Sequence, residues 1–412
     1  MTQAPGGVSP TTSGTGAERV EARLRERSEA NGRFFAAEAE RLAHLCHKMA
    51  ERFARAGRLV AFGATPADRS DARHVAVEFV HPVIVGKSAL PALALAGEGG
   101  PVAHQVALEA ENDDIAMAFG GHPDTLAALA AARERGCLTV AFVPGSGAEW
   151  EFDLSSVSDP LIRQEIVETL YHLLWELVHI FLDHRGLLEG RAAKPVHDSG
   201  ASSFLYPFLG QQEHNLDEIV DDVRKSMLLK ADEITSLRTQ TLHDGRDTLL
   251  SAARVLRERL DAGGRLIAIG NGGSATDAMA VVADFHTPMF GGPARRALDL
   301  TEDTGIITAV ANDIGTEEIF QRQVIAYGRE GDVLLAMSTS GNSLSILLAL
   351  EEARKRKLVT VAFVGYDGGN VVANNLADYV VVSGSQNIPR IQEAHASAYH
   401  VLRELVELPE PA

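Results

Sequence analysis

The sequence predicts an α/β protein made of two tandem copies of one domain, each a parallel sheet with helices on both faces. The first observation is a repeat: Arg-Leu-Val-Ala at 58–61 returns as Arg-Leu-Ile-Ala at 265–268, 207 residues later. The second is Thr-Val-Ala-Phe at 139–142, which returns at 360–363, 221 residues later. Repeats this far apart indicate a duplicated domain rather than a solenoid. The third is that short apolar runs alternate with helical patterns in both halves.

In the first half, residues 18–56 have helical periodicity, and Gly57 is a typical residue at which such a helix ends. A short apolar run at 59–62 then predicts the first strand. Further strands are expected at 83–85, 115–119 and 138–143, and helices near 70–80, at 123–135 and near 159–183.

The second half repeats this order, beginning with helices through 214–262. Strands are expected at 265–269, 305–310, 332–337 and 358–364, and helices at 274–285, at 343–356 and from about 388. Binding sites in such sheets lie at the carboxyl ends of the strands.

Composition shifts predict the domain boundaries. Residues 1–17 are rich in Gly, Ser, Thr and Pro without an apolar core, and we interpret them as a disordered tail rather than a secretion signal. Residues 186–213 contain Gly, Pro and Ser clusters typical of a linker. The predicted domains are therefore 18–185 and 214–412.

Composition and charge also exclude several classes of protein. The 412 residues are 45% hydrophobic and 23% charged, as in globular proteins. The net charge of −18 argues against nucleic acid or an anionic membrane as a partner. Only two cysteines are present, which fits a reducing, cytoplasmic setting. The most apolar stretch, 170–182, contains His and Glu and predicts a buried helix, not a membrane span.

Two loops in the second half have the residues of an anion site. Gly-Asn-Gly-Gly-Ser at 270–274 and Ser-Thr-Ser-Gly-Asn-Ser at 338–343 each join a predicted strand to a predicted helix. Glycines there let the backbone approach an anion, and helix N-termini offer unpaired N–H groups. The alternative is that these residues are ordinary helix caps and turns. Two such loops at strand carboxyl ends in one domain favour a phosphate site.

These loops, with Asn-Asp at 312–313 and Arg-Ile-Gln-Glu at 390–393, resemble the sugar isomerase (SIS) domain family, with the nearest likeness among isomerases of sedoheptulose 7-phosphate. The likeness covers 214–408, and 18–183 resembles a diverged copy. It implies a five-stranded parallel sheet, aldose–ketose isomerisation of a phosphorylated sugar through an enediol, and in many members a zinc ion. It also implies homo-oligomers with sites between subunits; a dimer of this chain would contain four SIS domains.

The resemblance assigns roles to residues of the second half. His400 matches a catalytic histidine of the family, whereas Ala280 stands at a metal-binding histidine and Asp284 at the catalytic glutamate. The residues that match phosphate and sugar contacts are Asn271, Gly272, Ser274, Asn312, Asp313, Ser338, Thr339, Ser340, Ser343 and Gln392.

The first half has the converse pattern. Its loops at 63–68 and 119–123 lack the phosphate-binding residues, and the first has a proline and a carboxylate instead. The resemblance nevertheless places metal ligands at His74, Glu78, Gln164 and His172, with Glu78 and His172 also catalytic. His74 and Glu78, four residues apart, share a helix face and can reach one ion; the alternative is an ordinary surface pair.

Helix geometry suggests how these groups combine. Gln164 and His172 are separated by roughly 12 Å along one helix and about 80° around it, too far for one ion. We therefore expect composite sites that draw on both halves. The activity that the resemblance implies is conversion of sedoheptulose 7-phosphate into a heptose 7-phosphate. The alternative is a non-catalytic SIS module, either a sugar-phosphate sensor or a protein-assembly factor.

Overall fold

The computed structural model describes residues 15–83, 87–183, 188 and 215–408. Three predicted segments lie largely outside this part of the chain: the tail, the strand at 83–85 and the linker. Of the strand only Val83 is described, and of the linker only Leu188. The first helix begins at Gly16, so the last residues of the predicted tail are helical.

The first half consists of alternating strands and helices after one long helix. In chain order these are α1 (Gly16–Ala54), β1 (Leu59–Gly63), α2 (Pro66–Val80), β2 (Ala92–Leu95), α3 (Val102–Glu109), β3 (Ile115–Phe119), α4 (Pro123–Glu134), β4 (Leu138–Ala141), β5 (Trp150–Glu151) and α5 (Pro160–Asp183).

The second half opens with two helices and follows the same alternation. In chain order its elements are α6 (Leu216–Asp244), α7 (Arg246–Asp261), β6 (Leu266–Ile269), α8 (Gly273–His286), β7 (Ala297–Asp299), α9 (Thr304–Asp313), α10 (Ile319–Tyr327), β8 (Val333–Ser338), α11 (Leu344–Lys355), β9 (Val359–Gly365), α12 (Gly369–Ala373), β10 (Tyr379–Ser383) and α13 (Ile388–Glu407).

One predicted strand is wrong: residues 305–310 lie in helix α9. Their β-branched residues favour a strand by composition, but Asp303 caps a helix there, since its carboxylate accepts a hydrogen bond from the Ile306 N–H at 2.9 Å. Sequence patterning also missed the edge strands β2, β5, β7 and β10, which are short or only partly buried.

The predicted fold class is confirmed. Each half contains a five-stranded sheet, in the order β2-β1-β3-β4-β5 in the first and β7-β6-β8-β9-β10 in the second. Every strand pair is parallel. The two sheets have the same strand order, as expected if one domain was duplicated.

Each sheet separates two hydrophobic layers, because successive side chains of a strand point to opposite faces. In β1, Leu59 and Ala61 pack in one cluster and Val60 and Phe62 in another. In β6 the same alternation sends 266 and 268 to one cluster and 267 and 269 to the other. These are the three-layer sandwiches that buried parallel sheets require. Among the described residues, no helix is long and apolar enough to cross a membrane.

The chain forms two compact units. Of the described residues, those between 30 and 233 form one unit, and those up to 29 together with those from 234 onward form the other. The first turns of α1, predicted with the first domain, pack through Val20 and Leu24 into the core of the second half. Conversely, Val223 and Met227 of α6 pack into the core of the first half.

In each sheet, a buried aspartate links the amino ends of two neighbouring strands. In the second half, Asp332 accepts hydrogen bonds from the backbone N–H groups of Arg265 (3.0 Å) and Arg329 (3.1 Å). In the first half, Asp114 accepts from the N–H groups of Arg58 (2.8 Å) and Glu111 (2.9 Å). We call this arrangement the aspartate clamp. It fixes the first strand of each sheet against the third.

Replacing Asp332 by alanine removes the acceptor of both N–H groups, and a donor left without a partner destabilises the fold. We expect the free energy of unfolding to fall by about 2 kcal/mol in urea titrations followed by circular dichroism. Glu330→Ala is the matched control, because Glu330 is exposed and pairs only with exposed Lys357 among the described residues; a change below about 0.5 kcal/mol is expected. Equal stability losses for the two variants would contradict the clamp's role.

Candidate functional site

The two glycine- and serine-rich loops of the second half lie side by side. One follows β6 and the other follows β8, and these two strands pair directly, with Ile269 opposite Ala336. Both loops therefore reach the carboxyl edge of the sheet at its centre. A hydrogen bond of 3.0 Å from the Asn271 amide to the Ser345 hydroxyl joins them.

Neither helix that starts at these loops has a side-chain cap. The N-cap of α8 is Gly272, which has no side chain, and the N-cap of α11 is Ser343, whose hydroxyl makes no capping hydrogen bond. Within the described residues, no capping side chain accepts from the first N–H groups of either helix, so both positive dipole ends remain available to a ligand. Some of the following N–H groups are used by the backbone: the Ser274 N–H donates to the Asn271 carbonyl at 3.1 Å. Serine at this position ordinarily caps the helix with its hydroxyl. Because Ser343 does not, the alternative that it is an ordinary helix cap is excluded.

Backbone conformation explains the glycines. Gly272 has φ +58° and ψ −126°, a region that residues with a Cβ rarely adopt. Gly341 has φ +62°, and a Cβ there would collide with the carbonyl oxygen of Gly368. Behind it, the Gly341 N–H donates to the buried Ser338 hydroxyl at 3.1 Å. The glycines therefore allow backbone conformations that other residues would not adopt, next to helix ends without side-chain caps; we call the two loops together the phosphate cradle.

The corresponding loops of the first half are closed by the protein itself. The Asp68 carboxylate accepts from the Thr65 N–H, and the Thr65 hydroxyl accepts from the Asp68 N–H, both at 3.2 Å. A Cβ on Gly120, in the second loop, would collide with the same carboxylate. Burial raises the pKa of Asp68. At α4, the His122 ring accepts from the Asp124 N–H. Because side-chain caps and the Asp68 carboxylate occupy these two loops, an anion is not expected to bind there.

His74, Glu78 and His172 come together inside the first half. The Nε2 atoms of His74 and His172 are 3.3 Å apart, and His74 Nε2 is 3.8 Å from Glu78 Oε1. One ligand atom from each of the three lies within 4.8 Å of the others. Helix α2 supplies the pair at i, i+4 and α5 supplies His172. All three are buried, so the alternative of a surface pair is excluded.

This donor set fits a zinc ion. Two nitrogen ligands at 2.0–2.1 Å from one ion in tetrahedral geometry are about 3.3 Å apart, the separation seen between His74 and His172. Burial, and then the neighbouring His172, lower the pKa of His74 well below its usual value, so His74 is neutral, as a ligand must be. We call these three residues the His–Glu–His cluster. Gln164 donates to Asp71 at 3.5 Å, and its role as a fourth ligand stays a prediction.

The second half has a related pair without the first histidine. The position that corresponds to His74 is occupied by Ala280, which is buried. Asp284 Oδ2 lies 3.5 Å from His400 Nε2. Arg403, one turn beyond His400, donates to the backbone carbonyl of Asp284 at 3.0 Å. A carboxylate and an imidazole at this separation can exchange protons with a substrate.

Other predicted contact residues have different settings. Asn312 and Asp313 lie exposed at the end of α9 and hydrogen-bond to each other at 2.7 Å. Gln392 is buried on α13, and its Oε1 has no donor within the described chain. Sequence reasoning missed Ser345 and Arg403. A serine on the first turn of α11 was a usable signal for Ser345, whereas the Arg403 contact depends on how α13 packs.

Comparison with known proteins identifies the family of this chain. The SIS domain family model matches residues 231–365. The phosphoheptose isomerase of Nitratidesulfovibrio vulgaris is 37% identical over 190 residues, which are 46% of this chain and 90% of that protein. That of Chlorobaculum tepidum is 44% identical over 165 residues, 39% of this chain and 78% of that protein. The chain therefore belongs to the family of SIS-domain proteins that contains the phosphoheptose isomerases.

A solved structure has the same fold over nearly the whole chain. The C-terminal domain of glucosamine-fructose-6-phosphate aminotransferase from Francisella tularensis superimposes with a TM-score of 0.57 at 11% identity. The match covers 95% of this chain and 98% of that one. At this identity the likeness concerns the fold alone, and it agrees with two SIS-type sheets.

Removing His74 tests the cluster as a metal site. We expect the purified chain to retain about one zinc per chain after gel filtration, and His74→Ala to lower zinc affinity at least tenfold, because a buried ligand is lost. His400→Ala, at the matching α13 position of the second half, is the control and should leave zinc content unchanged. Zinc retained by His74→Ala but lost by His400→Ala would contradict the assignment.

Proposed function

We propose that this protein is an aldose–ketose isomerase of a phosphorylated sugar, with sedoheptulose 7-phosphate as substrate. The observation that carries the proposal is the pair of uncapped helix N-termini at the phosphate cradle, since both counterparts in the first half are capped. The relatives named phosphoheptose isomerase support the choice of sugar.

The cradle binds the phosphate through neutral donors. Helices α8 and α11 begin at the ends of the paired strands β6 and β8, and the second loop carries the hydroxyls of Thr339, Ser340 and Ser343. The two helix dipoles favour a dianion there. A protein of net charge −18 can in this way hold a phosphate without a lysine or arginine in the cradle itself.

The chemistry moves two protons. A carboxylate removes the proton from the carbon next to the carbonyl, and this step gives an enediol. The same carboxylate then returns the proton to the neighbouring carbon, the former carbonyl carbon. An imidazole carries the other proton between the two oxygens. The chain offers two such pairs: Glu78 with His172, and Asp284 with His400.

Zinc, where bound, would be held by the His–Glu–His cluster. Bound there, the ion would polarise an oxygen ligand as a Lewis acid. The cluster itself keeps His74 neutral by burial and fixes Glu78 against it, so the ligand atoms are already oriented. A composite of this cluster with the cradle, and homo-oligomers of the chain, stay predictions.

Two neutralising substitutions identify the base. We expect Glu78→Gln to abolish isomerisation of sedoheptulose 7-phosphate, with kcat lowered at least 1000-fold, because an amide cannot take a proton. Asp284→Asn is the matched variant in the second half. If Glu78→Gln keeps full activity while Asp284→Asn loses it, the base is Asp284 and the composite is wrong. Phosphosugar binding without turnover in the wild type would instead support the sensor function.

One substitution placed at equivalent positions tests the cradle. Ser343→Asp puts a carboxylate at the uncapped start of α11, where it caps the helix but repels the phosphate; KM should rise at least tenfold with the fold retained. His122→Asp makes the same change at the N-cap of α4 and should leave KM unchanged, since that position is already capped. Equal KM effects would contradict phosphate binding by the cradle.

A further inference from the structure

Four arginines surround a cavity at the amino edge of the second sheet, the edge opposite the phosphate cradle. The cavity measures about 190 Å³ and is lined by Arg259, Arg265, Arg296 and Arg329, together with Glu330 and Asp332. Three of the arginines directly precede or lead into strands: 265 before β6, 296 before β7 and 329 before β8. Neighbouring parallel strands thus bring them together.

Two of these guanidinium groups are already engaged. Arg265 Nε lies 3.5 Å from the Asp332 carboxylate, and Arg296 Nη1 donates to the Gly263 carbonyl at 2.8 Å. Arg259 and Arg329 have no side-chain hydrogen bond or ion pair within the described part of the chain. Arg329 uses only its backbone N–H, which donates to Asp332. The two uncommitted guanidinium groups line the same cavity.

At the amino edge of the first sheet, the corresponding positions are satisfied by contacts within the protein. The aspartate clamp is present there, but Glu111 stands at the position of Arg329. Arg52, the counterpart of Arg259, donates to the carbonyls of Asn112 (2.7 Å) and Gly136 (3.1 Å). The shared clamp therefore does not require an arginine pair without side-chain partners, and the second half has that pair in addition to the clamp.

Charge and shape indicate the ligand. Four guanidinium groups against two carboxylates leave a local excess of two positive charges in a chain of net charge −18. A phosphate monoester is a dianion near neutral pH and matches that excess. Guanidinium forks bind phosphoryl oxygens in pairs, which gives both strength and geometry.

We propose that this arginine cavity is a second anion site, which binds the phosphoryl group of a phosphorylated metabolite separately from the substrate. Strand β6, four residues long, lies between the cavity and the cradle and spans roughly 13 Å. A ligand held by the arginines therefore leaves the cradle free. Its recognition relies on side-chain charge, whereas the cradle relies on backbone N–H groups, so the two respond to different substitutions.

Calorimetric titration of the full chain with inorganic phosphate at low ionic strength tests the proposal. The titration uses Ser343→Asp, whose cradle repels phosphate, so that the remaining binding reports the arginine cavity. Adding Arg329→Glu, which reproduces the residue of the first half, should weaken that binding at least tenfold, because it reverses one charge. The clamp survives, since it uses only the backbone N–H of residue 329.

Arg322→Glu is the matched control: Arg322 is exposed on α10, outside the cavity lining, and its change alters net charge equally. We expect phosphate affinity in Ser343→Asp to be unchanged by Arg322→Glu. The proposal is overturned if Ser343→Asp alone binds no phosphate, or if Arg329→Glu and Arg322→Glu weaken binding by the same factor.

Discussion

Direct pairing of the first and third strands in each sheet is the constraint on which the rest of the structure depends. Because β1 pairs with β3 and β6 with β8, the loops that leave these strands meet at one point of the carboxyl edge. Two helix N-termini, each with a partial positive charge, are thereby brought together. The N–H groups at these N-termini need a hydrogen-bond acceptor or an anion as partner. The two halves differ in what supplies that partner.

In the first half the protein supplies the partners from its own sequence. Asp68, Thr65 and His122 cap the helix ends, and the space between the loops is filled. In the second half the helix ends lack such caps and are available to a phosphate. The His–Glu–His cluster shows the reverse distribution, since Ala280 removes its counterpart in the second half. On the function that we propose, each half therefore carries one of the two kinds of site.

Much of this was predictable from the sequence. Repeated strands and glycine-rich loops gave the parallel fold and the cradle, because both depend on local patterns. Helix α9 was mistaken for a strand because β-branched residues outweighed the cap at Asp303. The approach of His172 to His74 depends on how α5 packs against α2, and no spacing in the chain encodes it. The family resemblance is what grouped His74 with His172 as ligands, whereas helix geometry alone only separated Gln164 from His172.

We propose that the second half binds the phosphate and the first half binds the metal. A crystal structure of the full chain with zinc and sedoheptulose 7-phosphate, with anomalous scattering recorded at the zinc edge, tests both parts at once. We expect phosphate density between the loops at 270–274 and 338–343, and an anomalous peak among His74, Glu78 and His172. Phosphate between the loops at 63–68 and 119–123, or zinc beside Asp284 and His400 alone, would contradict it.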